Sequence, residues 1–284
     1  MENARHQHRL ATNTVTAVAR DWAEKGDALP MTYSDYEGKV VIVTGASQGI
    51  GATIARSYAA AGAKLVVHFR SSKDAANEIA NAISEDGGSA TAIGASLNDV
   101  SDVDSLFSEV TDAYGGVDIL INNAGSFPNT PLLEMTLDDW QQMYSNNMES
   151  TFLCTKAAGN IMKNNGGGSI INIASISALN PGSDHAHYNS AKAAAVMFTQ
   201  SAAQELGQYN IRVNAVAPGL VYRPGLEEQW PDGYARYCDA APLSCVVQPE
   251  DVAEACLFLS SDRAARITGV TLPVDAGVLT AMAY

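Results

Sequence analysis

The sequence predicts an α/β fold: one parallel sheet of about seven strands, doubly wound by helices and preceded by an N-terminal extension. Three observations predict it. From Lys39 onward, short apolar and β-branched runs alternate with stretches of helical period. The runs are apolar at consecutive positions and not at every second one, as expected of strands covered on both faces. A glycine-rich turn, "TGASQGIG", stands between the first run and the first helical stretch, where a doubly wound sheet makes its tightest connection.

The elements follow in order. Residues 1–37 lack strong periodicity; Leu10, Val15, Val18 and Trp22 form a weak helical stripe ended by Gly26 and Pro30, and the segment reads as an appended arm. Then come "KVVIVTG", a helix over Ile50–Ala61, "AKLVVHF", a helix over Ser72–Glu85, "ATAIGA", a helix over Asp99–Tyr114 and "VDILINNAG". The second half continues with one helix over Thr136–Asn164, then "GSIINIAS", Tyr188–Leu206, "IRVNAVAPG", Asp251–Leu259 and "TLPVD". No linker interrupts residues 38–284, so they form one domain. Only Leu220–Gln248 breaks the rhythm, with prolines, tyrosines and a tryptophan in a long irregular insert. At the carboxyl side of a strand such an insert is a lid or substrate loop, the competing reading being an oligomer contact.

Composition narrows the function. Seventeen basic against 31 acidic residues give a formal charge of −14, which argues against a nucleic-acid partner and against an anionic membrane surface. No apolar run reaches the ~18–20 residues of a membrane span. The first thirty residues have no apolar core for a signal peptide, and their Glu2, Asp21, Glu24 and Asp27 argue against a transit peptide. Cys154, Cys238, Cys245 and Cys256 show neither CxxC spacing nor a dense framework and read as free thiols. A cytoplasmic protein is the expectation.

Two motifs carry chemistry. In "VIVTGASQGIGATIARSYA", Gly45, Gly49 and Gly51 let the backbone turn tightly and approach a pyrophosphate seated on the helix N-terminus. In "HAHYNSAKAAA", Tyr188 stands four residues before Lys192, one helical turn away on the same face. Alone, that pair is an ordinary helix face; with a nucleotide turn in the same chain it is an acid with a charged neighbour.

The Gly-x3-Gly-x-Gly spacing, "NNAG" at Asn122–Gly125, "YNSAK" and the "PG" of Pro218–Gly219 together resemble the short-chain dehydrogenase/reductase family, over roughly residues 38–277. The resemblance implies a Rossmann-type sheet and a catalytic set of Asn147, Ser175, Tyr188 and Lys192. Ser175 lies thirteen residues before Tyr188, with Ser177 as a neighbour; Asn147 lies seven after Trp140, beside Asn146. It further implies that Gly45, Ser47, Gln48, Gly49, Ile50 and Gly51 hold the pyrophosphate. Ser96 and Leu97 fall at the adenine, where relatives often carry an Asp followed by Val. Asn123, Ala124 and Gly125 fall beside the adenosine and ribose; Tyr188 and Lys192 at the nicotinamide ribose; Pro218, Gly219 and Val221 at the nicotinamide. A homotetramer (or dimer) is also implied, with "VDAGVLTAMAY" at a subunit contact.

Chemistry asks for such a set. Ketone reduction needs hydride at carbon and a proton at oxygen, and a free tyrosine titrates at ~10. An ammonium one turn away is expected to lower that value, while Ser175 holds the carbonyl oxygen. Asn147 is expected to hold a water that links Lys192 to solvent. At the end of the second strand, where NAD-preferring relatives place an acid, this chain has Phe69 and then Arg70 and Ser71. A guanidinium fork suits a 2′-phosphate, so NADP(H) is the expected cofactor, with NAD(H) secondary.

Other residues are less decisive. Arg223 stands where relatives often carry Thr; it offers charge to a carboxylated or phosphorylated substrate or pairs with Glu227 or Glu228, the salt bridge being its simplest role. His185 and His187 read as polar residues of the substrate pocket or a loop, with no metal, because no carboxylate or cysteine pattern joins them. Trp230, Tyr234, Tyr237 and Leu243 suggest apolar or stacking contacts to substrate. The expected reaction joins a secondary alcohol and a ketone: a sugar lactol, a 3-oxoacyl thioester, a diol or a cyclic ketone. A cofactor-binding scaffold or redox sensor without turnover is the rival from another class.

Overall fold

The computed structural model describes residues 36–280. Their centre is one seven-stranded sheet in the order β3-β2-β1-β4-β5-β6-β7, parallel at every pairing. The strands are β1 Val40–Val43, β2 Lys64–Phe69, β3 Ser89–Gly94, β4 Ile119–Asn122, β5 Gly168–Ile173, β6 Ile211–Pro218 and β7 Thr271–Val274. Burial of β1 and β4 at every position bears out the two-sided covering read from their apolar runs. The strand order reverses between β1 and β4, and a doubly wound sheet opens its crevice at the carboxyl ends beside such a switch point.

The helices in the first half are α1 Gly49–Ala60, α2 Lys73–Glu85 and α3 Val100–Tyr114. Asp99 starts α3 by accepting from the amides of Ser101 and Asp102, and Gly115 ends it in the left-handed region. Its buried face, Val103, Leu106, Phe107 and Val110, packs in the core with Val66, Leu120 and Ile170.

The expected single helix over Thr136–Asn164 is two helices, α4 Leu137–Tyr144 and α5 Ser150–Met162, joined by a π-helical turn at Ser145–Glu149. A capping box of Thr136 and Asp139 starts α4. At the π turn, polar side chains serve backbone carbonyls: Asn147 Nδ2 donates to Met143 O, Ser150 to Asn146 O and Thr151 to Asn147 O. Such a turn bends the helix without a Gly or Pro, and none stands in Ser145–Glu149 to mark the boundary in the sequence.

Helix α6, Ala186–Leu206, carries the Tyr188–Lys192 pair. A buried amide chain ties it to the sheet: Asn122 Nδ2 donates to Asn172 Oδ1 and to Thr155, and Asn172 Nδ2 donates to Thr199 on α6. Asn122 therefore serves the core, while the next three residues of its motif face the cleft described below.

The segment Leu220–Gln248 is not irregular throughout. It contains α7 Leu226–Gln229 and α8 Pro231–Ala240, and its base is closed by a Val221–Val247 bridge. Helix α9, Pro249–Ser260, follows it with Gln248 and Asp251 in a capping box. The arm expected over residues 1–37 lies outside the described residues except for Tyr36 and Glu37, and Tyr36 is buried, with its hydroxyl on Leu257 O and Ser260. The last four residues of "VDAGVLTAMAY" also lie outside them. The four cysteines are unpaired. Among the described residues no helix is long and apolar enough to cross a membrane.

Candidate active site

The carboxyl ends of β1, β2, β4, β5 and β6 border one cleft of about 970 Å³. Its floor at the β1 end is the glycine turn. Gly45 and Gly49 have φ of 63° and 53°, the left-handed region that glycine enters without strain. Gly51 is required by space: a Cβ there would lie 2.5 Å from Gly45 O and from Asn123 Nδ2.

Three side chains brace this turn from three strand ends. Asn123 Nδ2 donates to the carbonyls of Thr44 and Gly45. Thr44 Oγ1 accepts from the amides of Asn123 and Ala124. His68 Nδ1 accepts from Gly45 N at 3.0 Å, while its Nε2 lies 3.1 Å from Ala95 O. The first contact makes Nδ1 the bare nitrogen and Nε2 the proton carrier. Burial lowers the His68 pKa to about 4, so the ring is neutral near pH 7. Sequence reading missed Thr44 and His68, whose roles depend on strands far away in the chain.

Helix α1 begins at this turn without a side-chain cap and without an acidic residue in its first turn. Gly49, Ile50 and Gly51, which open it, line the cleft. An uncapped N-terminus offers unpaired amides and the positive end of the helix dipole to an anion. Helices α3 and α4 meet side-chain caps, whereas α2 and α6 begin without one, as α1 does. The residues present thus fit a dinucleotide.

Of the expected cofactor residues, Gly45, Gln48, Gly49, Ile50, Gly51, Arg70, Leu97, Asn123, Ala124, Gly125, Pro218, Gly219 and Val221 line the cleft. Ser47, Ser71 and Ser96 are not among its lining. Ser96 turns instead to Asn98 and to Asp102, and Asn98 takes the place beside Leu97. Arg70 is exposed, with Nη1 3.4 Å from Asn146 Oδ1.

The four expected catalytic residues converge. Ser175 follows β5, accepts from Ser177 N at 3.0 Å, and lies close enough to the Tyr188 hydroxyl to act on its pKa. Lys192 Nζ donates to Ile173 O at 2.8 Å and lies 5.7 Å from the Tyr188 ring centre. Asn147 Oδ1 is buried with no hydrogen-bond partner. It flanks Gly125 together with Lys192: a Cβ on that glycine would lie 2.5 Å from Oδ1 and 3.7 Å from Nζ. The neighbouring Asn146 instead donates to Ser126 Oγ and accepts from Arg70.

Electrostatics departs from expectation here. The Tyr188 pKa is raised, because burial outweighs the lowering effect of Ser175. Burial also lowers Lys192 to about 8. Removing both groups from water opposes both charges, and the ammonium does not offset that for the phenol.

A family model described as enoyl-(acyl carrier protein) reductase matches residues 45–279. The chain belongs to the short-chain dehydrogenase/reductase family. This short-chain dehydrogenase/reductase is 38% identical over 249 residues to 3β-hydroxysteroid dehydrogenase 1 of Eggerthella lenta, covering 87% of this chain and 95% of that one. It is 40% identical over 244 residues to a 3-oxoacyl-[acyl-carrier-protein] reductase of Synechocystis sp., covering 85% and 97%. Among solved structures, a 7α-hydroxysteroid dehydrogenase complexed with NADH and 7-oxo glycochenodeoxycholic acid superposes with a TM-score of 0.79 at 34% identity, covering 87% and 96%. The protein is accordingly an NAD(P)-dependent oxidoreductase acting on CH–OH groups.

Around the Tyr188 phenol of this short-chain dehydrogenase/reductase, some expectations change. Phe127 and His185 pack edge-on against Tyr188, with ring centres 6.5 and 5.9 Å away. His187 is fully buried, off the cleft, with neither ring nitrogen hydrogen-bonded. On a helix, positions i and i+2 point to different sides, so the two histidines part. Trp230, Tyr234, Tyr237 and Leu243 do not line the cleft. Trp230 packs onto Gly233, Tyr234 lies beside Glu227, Tyr237 donates to Asp275 O, and Leu243 is exposed. Their segment instead contributes Leu220, Tyr222, Arg223, Pro224 and Leu226. Arg223 pairs with neither expected glutamate; its Nη1 donates to Gln229 Oε1 at 2.7 Å.

Proposed function

We propose that this protein is an NADP(H)-preferring reductase/dehydrogenase of a ketone/secondary alcohol pair, with Tyr188 as general acid and base. The observation that carries the reading is the joint placement of Ser175, Tyr188 and Lys192 beside the orphaned Asn147 Oδ1 in a cleft floored by the glycine turn. When bound, the cofactor supplies hydride at the carbonyl carbon or accepts it from the alcohol.

The chain's own residues do the rest. Ser177 N occupies a lone pair of Ser175 Oγ, which leaves the Ser175 O–H to donate to the substrate oxygen. Tyr188, neutral at pH 7 and made a weaker acid still by burial, gives its proton to that oxygen during reduction and takes one back during oxidation. Lys192 is anchored on Ile173 O and holds the nicotinamide ribose. The partnerless Asn147 Oδ1 binds the water through which Lys192 returns a proton to Tyr188. Arg70, at the open end of the cleft, is the charge that selects a 2′-phosphate.

The relatives span steroid, sugar and 3-oxoacyl chemistry, so cyclic ketones, sugar lactols and 3-oxoacyl thioesters form the substrate panel. The same reading makes Leu220–Gln248 the lid. It also makes the protein a homotetramer or dimer, with exposed Phe152 on α5 and Met197 on α6 supplying apolar contact area. NADPH oxidation across the panel tests the reading, with Tyr188→Phe as control. The variant should lose at least about a hundredfold in kcat and keep NADPH binding within about threefold. A variant retaining a tenth of wild-type kcat would remove Tyr188 from the acid–base role.

A further inference from the structure

The fixed charges that line the cleft are all positive. In a chain of net charge −14, its walls carry Arg70, Lys192 and Arg223 and, among the described residues, no Asp or Glu. Two of these cations have a role in the reading above, Arg70 toward a 2′-phosphate and Lys192 beside Tyr188. The pyrophosphate is served by the uncapped N-terminus of α1. Arg223 is left over.

Its surroundings hold it without neutralising it. The one bond of its guanidinium goes to the neutral Gln229 Oε1 at 2.7 Å. Glu227, the nearer of the expected partners in sequence, lies beside the Tyr234 hydroxyl and raises its pKa. No carboxylate lies within ion-pair distance of Arg223 among the described residues. A guanidinium has five N–H donors in a planar fork, so one contact leaves the others for a ligand. Arg223 shares the cleft wall with Tyr222 and Pro224, on the segment that follows β6.

We propose that Arg223 is a specificity-determining residue that receives an anionic group, a carboxylate or phosphate, carried by the substrate away from its reacting carbonyl. The inference rests on the dehydrogenase reading and narrows it: the substrate is an anionic ketone or alcohol. A planar fork suits either anion, and the absence of opposing acids leaves the charge free to act on it.

Matched pairs test this. The probes are 4-oxopentanoate and 7-oxo glycochenodeoxycholic acid, each against its methyl ester, and dihydroxyacetone phosphate against dihydroxyacetone. Calorimetry measures their binding to the NADPH-loaded wild type, Arg223→Gln and Arg223→Lys, and kcat/KM is measured alongside. The expected result is that wild type binds at least one anion about ten- to a hundredfold more tightly than its neutral partner. Arg223→Gln should lose that preference through KM, leaving the neutral partner within about threefold, and Arg223→Lys should restore part of it. Wild type that binds acids and neutral partners equally overturns the proposal. So does an Arg223→Gln variant that weakens NADPH itself and not the substrate preference, which would assign the anion to the cofactor. Tight, Arg223-dependent binding of the anion without turnover of any probe would keep the proposal and sink the dehydrogenase reading.

Discussion

The floor of the cleft and the wall made by Leu220–Gln248 are built in opposite ways. The floor is held by partly buried side-chain bonds from three strand ends: Thr44 after β1, His68 in β2 and Asn123 after β4 all grip the glycine turn or its neighbours. The wall is closed at its base by the Val221–Val247 bridge and tied to the strand β7 side by the Tyr237 phenol on Asp275 O and the Leu243 amide on Ala276 O. Where many polar bonds meet one stretch of backbone, few residue types can stand there. Where a helix packs at the surface, many can. On the proposed function, the difference separates a part that would bind a constant cofactor from a part free to change its substrate.

Substitutions on either side sharpen that contrast. The largest effect is expected from Gly51→Ala, whose new methyl would press on backbone carbonyl Gly45 O and on the Asn123 amide, both 2.5 Å away. Overpacking of this kind costs about 1–3 kcal/mol or more, so NADPH affinity should fall by about a hundredfold and the melting temperature should drop. Fluorescence titration and a thermal melt read both. Wild-type affinity in Gly51→Ala would mean that the brace does not set the turn.

Next comes acid sensitivity. His68 titrates at about 4 in the folded protein against 6.5 unfolded, so the unfolded chain takes up its proton first as pH falls. The stability held by the neutral ring is then lost between about pH 6.5 and 4, on the order of 3 kcal/mol in all. His68→Asn keeps an acceptor for Gly45 N and should flatten the dependence in that window. Urea melts at pH 7, 5.5 and 4.5 measure it; parallel losses in both proteins would absolve His68.

Arg70→Ala follows, with an expected ten- to hundredfold weakening of NADPH and little change in NADH, since a charge-assisted bond is worth about 1.5–3 kcal/mol. Steady-state kcat/KM for both cofactors decides it. Equal losses for the two, or a wild type that already prefers NADH, would return Arg70 to the surface.

The smallest effect belongs to the wall. Tyr237→Phe removes one hydrogen bond, about 1 kcal/mol, and should speed amide exchange over residues 231–240 by about fivefold without touching β1 or β4. Exchange over 220–248 should slow when cofactor and substrate bind. Unchanged exchange in both experiments would make the wall as rigid as the floor and end the comparison.

The legible parts of this protein are those whose physics is local or periodic. Two-sided apolar runs named the inner strands, because a parallel sheet buries both faces there, while the largely unburied edge strands β3 and β7 were marked by their alternation with helices. The four-residue step from Tyr188 to Lys192 put both on one helix face, because a helix repeats at that spacing. The glycines announced a turn that other residues would strain or fill. Tertiary structure decided the rest. Thr44 and His68 became braces only when β4 and the turn arrived beside them, and Asn147 gained its place from a π turn that no Gly or Pro marks in the sequence. The rise of the Tyr188 pKa came from burial, which sums over all surrounding elements. Arg223 met the neutral Gln229 where Glu227 and Glu228 were equally near in sequence, a choice between neighbours that only packing makes.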